Sequence, residues 1–317
     1  MTNVAPEIWA VIPARDAEHC LGTAVDSAMG QSASQKAVII DDGGNGRVVE
    51  ALAARYGNRL EIVGGPRRGA AAARNLGLRV AGEAWVGFLD ADDFWYEGHI
   101  ANLQAALGRH RHAVACFAGA LHFTEDGTLI NRCIPAVEQV TVADLLSRRV
   151  RPTTSATAVD AATVLDLGGF YEGFRRPAGV EDVDLWWRIA SGHDCVAAPR
   201  PTVHYLVHDA RNQTRHKQAL LDLDADVSLF LRRVRDQVPE RLYRQAAAEH
   251  RAMMSRYWYL GGFQRQGLRE ASAAVACLPV PSGIAALAFG LLPWPLQRLV
   301  RQFRRGLIRR RQASAAK

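Results

Sequence analysis

Short apolar runs of strand length alternate with helically spaced apolar positions along the first 90 residues. Ile8 to Ile12 is a strand-sized run closed by Pro13, and Leu21, Val25, Ala28 and Met29 recur at helical spacing. Ala37-Val38-Ile39-Ile40 is a second run, stopping at Asp41-Asp42-Gly43-Gly44. A helix is expected from Arg47 to Tyr56, a strand over Leu60 to Val63, and an alanine-rich helix over Ala70 to Val80. Trp85 to Leu89 reads as a further strand, stopping at Asp90-Ala91-Asp92-Asp93. Strands alternating with helices predict βαβ units and a parallel sheet. The strands are apolar without interruption, so both faces of that sheet should be covered.

After about residue 110 the pattern loosens. Val114 to Phe123 reads as a strand turning at Glu125-Asp126-Gly127, and Gly168-Gly169 marks a sharp loop. A helix starting near Glu181 carries Leu185, Trp186 and Ile189 on one face. From Lys217 to Leu278 the chain reads as helical, before Pro279, Pro281, Pro293 and Pro295 break any long helix. A boundary near residue 215 divides domain 1–215 from a helical extension 216–317.

Composition excludes a mainly disordered chain, since 49% of the 317 residues are hydrophobic and 22% are charged. The net charge of +7 is uneven: Gln297 to Lys317 hold seven arginines, one lysine and no acid, which leaves the body at −1. Cys20, Cys116, Cys133, Cys195 and Cys277 are odd in number, widely spaced and without CxxC, so reduced thiols are expected rather than a disulfide framework or zinc site. The segment MTNVAPEIWAVIPARD shows no basic region followed by a long apolar run, which points to a cytoplasmic location. Arg109-His110-Arg111-His112 reads as a solvated helix end.

The two acidic clusters carry the chemistry. Both stand where an apolar strand stops, and in open α/β sheets ligands bind beyond the carboxyl ends of strands. Carboxylates gathered there repel one another unless a cation or hydrogen-bond donors neutralise them. Asp90 and Asp92 flank one residue, so in extended backbone they point the same way and suit one hard divalent ion, Mg²⁺ or Mn²⁺. Aspartates after strands also cap turns and following helices, which is the competing reading.

The series Val11-Ile12-Pro13, Ile39-Ile40-Asp41-Asp42-Gly43, Ala73-Arg74-Asn75-Leu76-Gly77 and Phe88-Leu89-Asp90-Ala91-Asp92-Asp93 resembles the family 2 glycosyltransferases. The likeness continues at Gly168-Gly169-Phe170 and Glu181-Asp182-Val183-Asp184-Leu185-Trp186, covering roughly residues 7 to 215 in matching order. It implies a GT-A fold: α/β, Rossmann-like, a mostly parallel sheet flanked by helices, here with a helical C-terminal extension. It also implies an inverting transfer from a UDP-, GDP- or dTDP-sugar to a glycan or lipid-linked hydroxyl. Pro13, Asp41, Asp42, Arg74, Asp90, Ala91 and Asp92 would then contact the nucleotide sugar. Asp92, Asp90 and His208 would hold a metal, and Asp182 would be the base. Glu181 and Trp186 are assigned to the acceptor side, although tandem tryptophans are more often packing residues. Asp16, Gly44-Asn45-Gly46 and Leu206 depart from the family's usual residues and leave base identity and diphosphate contacts open.

Rival classes lack their signatures. A nucleotidyltransferase needs a glycine-rich basic loop after the first strand, where Pro13-Ala14-Arg15-Asp16-Ala17-Glu18 has no glycine. GxGxxG and Walker A motifs are missing from their places too. A non-catalytic nucleotide-sugar binder would not need a base such as Asp182. Nucleic acid is not an expected partner, because the basic residues lack interleaved aromatics or a known module. Ala271 to Gln297 contain no charge over 27 residues, yet prolines interrupt the run below spanning length. Residues 296–311 interleave Leu, Val, Phe and Ile with arginine, an amphipathic pattern suited to an anionic membrane surface.

Overall fold

The computed structural model describes residues 6–32, 35–175, 179–208, 217–292, 297 and 300. The chain divides into two compact units: 1–122 with 131–145 and 149–206, and 207–317 with 123–130 and 146–148. A single cut near residue 215 therefore misses two short segments that group with the C-terminal unit.

Among the described residues the first unit is built on nine strands: β1 (Ile8–Ala14), β2 (Ala37–Asp41), β3 (Leu60–Gly64), β4 (Trp85–Phe88), β5 (Phe94–Trp95), β6 (Ala113–Thr124), β7 (Leu129–Cys133), β8 (Thr157–Asp160) and β9 (Asp194–Val207). Their order is β3-β2-β1-β4-β8-β6-β9-β5, with β7 beside β6. The first four strands are parallel, with Val11 opposite Val38 on one side and Phe88 on the other. β8 joins antiparallel to β4 and to β6, and β5 joins antiparallel to β9. Helices α1 (Leu21–Met29), α2 (Gly46–Tyr56), α3 (Ala70–Ala81), α4 (His99–Arg109), α5 (Val142–Leu146), α6 (Ala161–Asp166) and α7 (Glu181–Gly192) complete the layers.

The uninterrupted apolar strands are buried on both faces, as their pattern predicts. Ala10, Ile12, Ala37 and Ile39 belong to one core, while Val11, Val38 and Ile40 belong to the other. Gly77 lets α3 press onto the second face, because a Cβ there would collide with the Val11 side chain. That close approach holds the preceding turn of α3, with Arg74 and Asn75, beside the carboxyl ends of β1 and β4.

Asn75 then joins α3 to the Gly168-Gly169 loop. Its Oδ1 accepts from Phe170 N at 2.7 Å and its Nδ2 donates to Phe170 O at 2.9 Å, the two bonds a neighbouring strand would supply. Gly169 has φ of 66° and sits against Asn75 Oδ1, so this position needs glycine on both counts. Buried Asp184 pairs with Arg188 at 2.9 Å, and Arg188 donates to the carbonyls of Leu167 and Gly169. The same loop is thereby fixed to α7.

The second unit holds α8 (Lys217–Arg235), α9 (Glu240–Leu260), α10 (Gln264–Cys277) and α11 (Pro281–Leu291). α8 buries Leu220, Leu223, Val227, Phe230, Leu231 and Val234 along one stripe. Arg251 of α9 and Glu270 of α10 pair at 3.0 Å. α10 ends at Cys277, with Leu278 extended before Pro279, and Pro281 opens α11 at its first turn, where its missing N–H costs nothing. Of the basic segment 296–311, all but 297 and 300 lie outside the described residues. Among the described residues no helix is long and apolar enough to cross a membrane.

Candidate active site

Parallel strands β1, β2 and β4 end side by side, and the predicted acidic residues gather beyond those ends. Asp42 N donates to Ala14 O at 2.8 Å, which ties the end of β2 to the end of β1. Asn45 fixes both loops: fully buried, it accepts from Ala17 N at 2.8 Å and donates to Ala14 O at 3.1 Å and Asp41 Oδ1 at 2.7 Å. Asp41 stays partly exposed. Asp42 is buried, and its Oδ1 accepts from Arg67 N at 2.6 Å. This bond holds Arg67 at φ of 55°, a left-handed conformation uncommon outside glycine. The Arg67 guanidinium lies over Gly43, at 3.6 Å from where a Cβ would stand. Both aspartates shape the loop, Asp41 Oδ1 accepting from Gly43 N at 3.0 Å as well as from Asn45, and Asp41 is the more exposed of the two.

Beyond β4 the four-residue acidic stop divides similarly. Asp93 is buried, accepting from Ser155 Oγ at 2.5 Å and Leu206 N at 2.7 Å. Burial, followed by the charges of Asp90 and Asp92, raises its carboxyl well above the ordinary aspartate range. Ser155 Oγ also accepts from Asp90 N at 3.0 Å, which sets the turn that carries Asp90 and Asp92. Ala91 is buried at the turn, while Asp90 and Asp92 are partly exposed.

Arg74 joins this turn to α7. Its side chain is 4% exposed, with one arm 2.7 Å from Asp90 Oδ1 and the other 3.1 Å from Glu181 Oε1. Burial alone would lower its pKa, but Asp90 and then Glu181 outweigh burial and hold the guanidinium firmly charged. Among the described residues its Nε has no partner. The Arg74 expected at the nucleotide is therefore committed first to two carboxylates.

Glu181 is also buried, and its second oxygen accepts from Gly179 N at 2.6 Å. It ties down the start of α7 rather than presenting an open acceptor-side carboxylate. Asp182, the next residue, is only partly buried and accepts from its neighbour's amide, Val183 N, at 2.7 Å. Burial first, and the Glu181 charge second, push its carboxyl up to about 7.

Two expected placements change. Trp186, assigned to the acceptor side, is 1% exposed and packs against Phe88, Phe117 and Phe170 at ring distances of 6.4, 5.6 and 5.9 Å. It is a core residue. His208 groups with the second unit, where its Nδ1 is 3.2 Å from Glu125 Oε1. Among the described residues no set of three or more His, Cys, Asp and Glu side chains is arranged to hold a metal ion. Asp90 and Asp92 offer hard oxygen donors, one oxygen of Asp90 being held already by Arg74. That pair fits Mg²⁺ or Mn²⁺ only if water and a diphosphate complete the shell, which is how Mg²⁺ is commonly bound.

The model for glycosyl transferase family 2 matches residues 9–178. The chain belongs to that family. It is a glycosyltransferase of α/β, GT-A fold with added C-terminal helices. It is 25% identical over 192 residues to EpsE of Bacillus subtilis (strain 168), covering 59% of this chain and 68% of that protein. Over 112 residues it is 36% identical to the succinoglycan biosynthesis protein ExoU of Rhizobium meliloti (strain 1021), covering 34% of this chain and 33% of ExoU. The crystal structure of S. aureus TarS 1-349 in complex with UDP-GlcNAc matches with a TM-score of 0.61 at 14% identity, over 93% of this chain and 92% of that one. At that identity the likeness concerns the fold.

Three site residues escape a reading of the sequence: Arg67, Ser155 and Tyr205. Tyr205 sits on β9 with its ring 4.7 Å from His122, and its hydroxyl is raised well above the ordinary range by burial, then by Asp93, Asp90, Asp182 and Asp92. Ser155 lies 65 residues from Asp90 and carries no local signal. Asn45 stood out only as a departure from the family pattern.

Proposed function

We propose that this glycosyltransferase moves a sugar from a nucleoside-diphosphate donor to a hydroxyl of a glycan or lipid-linked acceptor, with inversion at the anomeric carbon. The polysaccharide role of ExoU and the UDP-GlcNAc bound by TarS support the substrate classes and make UDP-sugars the first donors to test. The observation that carries the reading is the Asp90–Arg74–Glu181 bridge beside Asp182. One buried cation fixes a phosphate-side carboxylate and the start of the helix that bears the base.

In the reaction Asp182 takes the proton of the acceptor hydroxyl. The hydroxyl oxygen forms its bond to the anomeric carbon as the bond to the diphosphate breaks, and the diphosphate departs with the electron pair. A single displacement from the opposite face inverts the centre. A carboxyl held near 7 suits this work, because a base is most effective when its pKa lies near the operating pH. Asp90 and Asp92 would hold a divalent cation, which neutralises the departing diphosphate. Asp41 lies on the nucleotide side, and Asn45 and Asp42 hold the loop that presents it. The basic segment 296–311 adsorbs the enzyme to an anionic surface, where lipid-linked acceptors reside.

Nucleotide release measured with UDP-, GDP- and dTDP-sugars, with Mg²⁺ or Mn²⁺ present, tests the reading. Acceptor-stimulated release from one donor class is expected. Binding of donors without release under every condition would leave a nucleotide-sugar binder instead.

A further inference from the structure

α11 has its apolar residues arranged inside out. It buries Gly283, Ala286 and Gly290. A Cβ on Gly290 would collide with Tyr259 and Leu268, and one on Gly283 would lie 3.2 Å from Ala274 Cβ. The helix thus seats its smallest residues against α9 and α10. Phe289 packs against Tyr259 at 5.6 Å, but the other large residues face away: Ile284 is 50% exposed and Leu291 69%, with Ala285 and Ala288 exposed and Leu287 partly buried between them. Ser282, the one polar side chain of α11, donates to Glu249 at 2.7 Å near the start of the helix. A helix facing water carries polar residues on its outer face, and this one carries none beyond its first turn.

The occupant of that face is indicated by charge. The uncharged run 271–297 leads directly into 298–317, which holds seven arginines, one lysine and no acid. A second copy of this chain is disfavoured, because pairing through α11 would draw the basic segments of both chains together. An anionic lipid surface satisfies both features at once. α11 has 11 residues and so is about 16 Å long, about half the thickness of a bilayer's hydrocarbon core. It can lie in the interface but cannot span it.

We infer that α11 is an interfacial helix whose edge of Ile284, Leu287 and Leu291 enters the headgroup region of an anionic bilayer, beside the adsorbed basic segment. This deepens the surface reading above by adding an apolar contact to an electrostatic one. The two respond differently to salt, since screening weakens the arginine contribution and leaves burial of leucine and isoleucine in place.

Cosedimentation of the full chain with phosphatidylcholine vesicles, with and without phosphatidylglycerol, tests it at about 0.1 M and 1 M salt. The double variant Ile284→Glu, Leu291→Glu should lose about tenfold or more of its partitioning to anionic vesicles, while nucleotide affinity and unfolding midpoint stay unchanged. A variant with Arg304, Arg305, Arg309 and Arg310 changed to Gln should lose chiefly the salt-sensitive part. Wild-type partitioning by the α11 variant overturns the inference; if the arginine variant alone fails to bind, adsorption stands without insertion. No vesicle binding by the wild type overturns both. A wild-type dimer that Ile284→Glu, Leu291→Glu makes monomeric assigns the face to a second copy and also overturns it.

Discussion

Arg74 and Glu181, 107 residues apart in the chain, meet at 3.1 Å in the interior of the first unit. Each is buried, and each has a second commitment: Arg74 to Asp90 at 2.7 Å and Glu181 to the amide of Gly179 at 2.6 Å. A carboxylate so buried is tolerable only while its cation remains.

Arg74→Met therefore removes the cation and leaves Glu181 unpaired. Breaking a buried pair from one side costs about 3–5 kcal/mol, so the unfolding midpoint in denaturant should fall clearly. Arg74→Lys keeps the charge but cannot reach both partners in a fixed fork, so its loss should be smaller in stability than in turnover. Chemical unfolding and steady-state rates on both variants check the pair of outcomes. Equal stability of Arg74→Met and wild type would show that the bridge contributes nothing to the fold.

Transfer should rise as pH increases through about 7, because Asp182 accepts a proton only when ionised. Stability should move the opposite way. The native carboxyl holds its proton above the pH at which the unfolded chain releases it. Stability from this group is complete below about 4, the unfolded value, and is lost as pH rises through about 7. Asp182→Asn should remove that part of the decline, so the variant's midpoint should gain on the wild type's between these limits. Unfolding curves at several pH values read this directly.

Asp92→Asn should weaken donor binding in the presence of Mg²⁺ or Mn²⁺ while changing thermal stability little, as Asp92 is partly exposed. Chelator should abolish turnover by the wild type. Asp93→Asn should behave differently: it disturbs a buried carboxyl bonded to Ser155 and Leu206, so stability should fall. Isothermal titration with nucleotide, with and without metal, together with melting curves separates the two aspartates. Full activity in chelator would remove the metal from the account.

The parallel half of the sheet was legible because uninterrupted apolar runs such as Val38 to Ile40 have one stable home, a strand covered on both faces. The antiparallel half was less so. β8 is only Thr157–Asp160, and β5 only Phe94–Trp95, too short for a periodic signal. At the site, sequence placed Asp41, Asp90 and Asp92 beyond strand ends, since an abrupt acidic stop is a local feature. It could not divide each cluster into exposed and buried members. Asp42 and Asp93 are buried because Arg67 N, Ser155 and Leu206 N reach them, and those partners are distant in the chain. Trp186 differs for the same reason: its place on α7 is a local feature, but the phenylalanines that enclose it come from β4, β6 and the loop before α7.

Removal of the acceptor proton by Asp182 is tested most directly by Asp182→Asn. The amide matches the carboxylate in size but cannot act as the base. Sugar transfer should fall by about 10²–10⁴-fold, with donor affinity measured by titration unchanged. Transfer at the wild-type rate, or loss of donor binding together with transfer, would contradict the assignment and place Asp182 with the nucleotide instead.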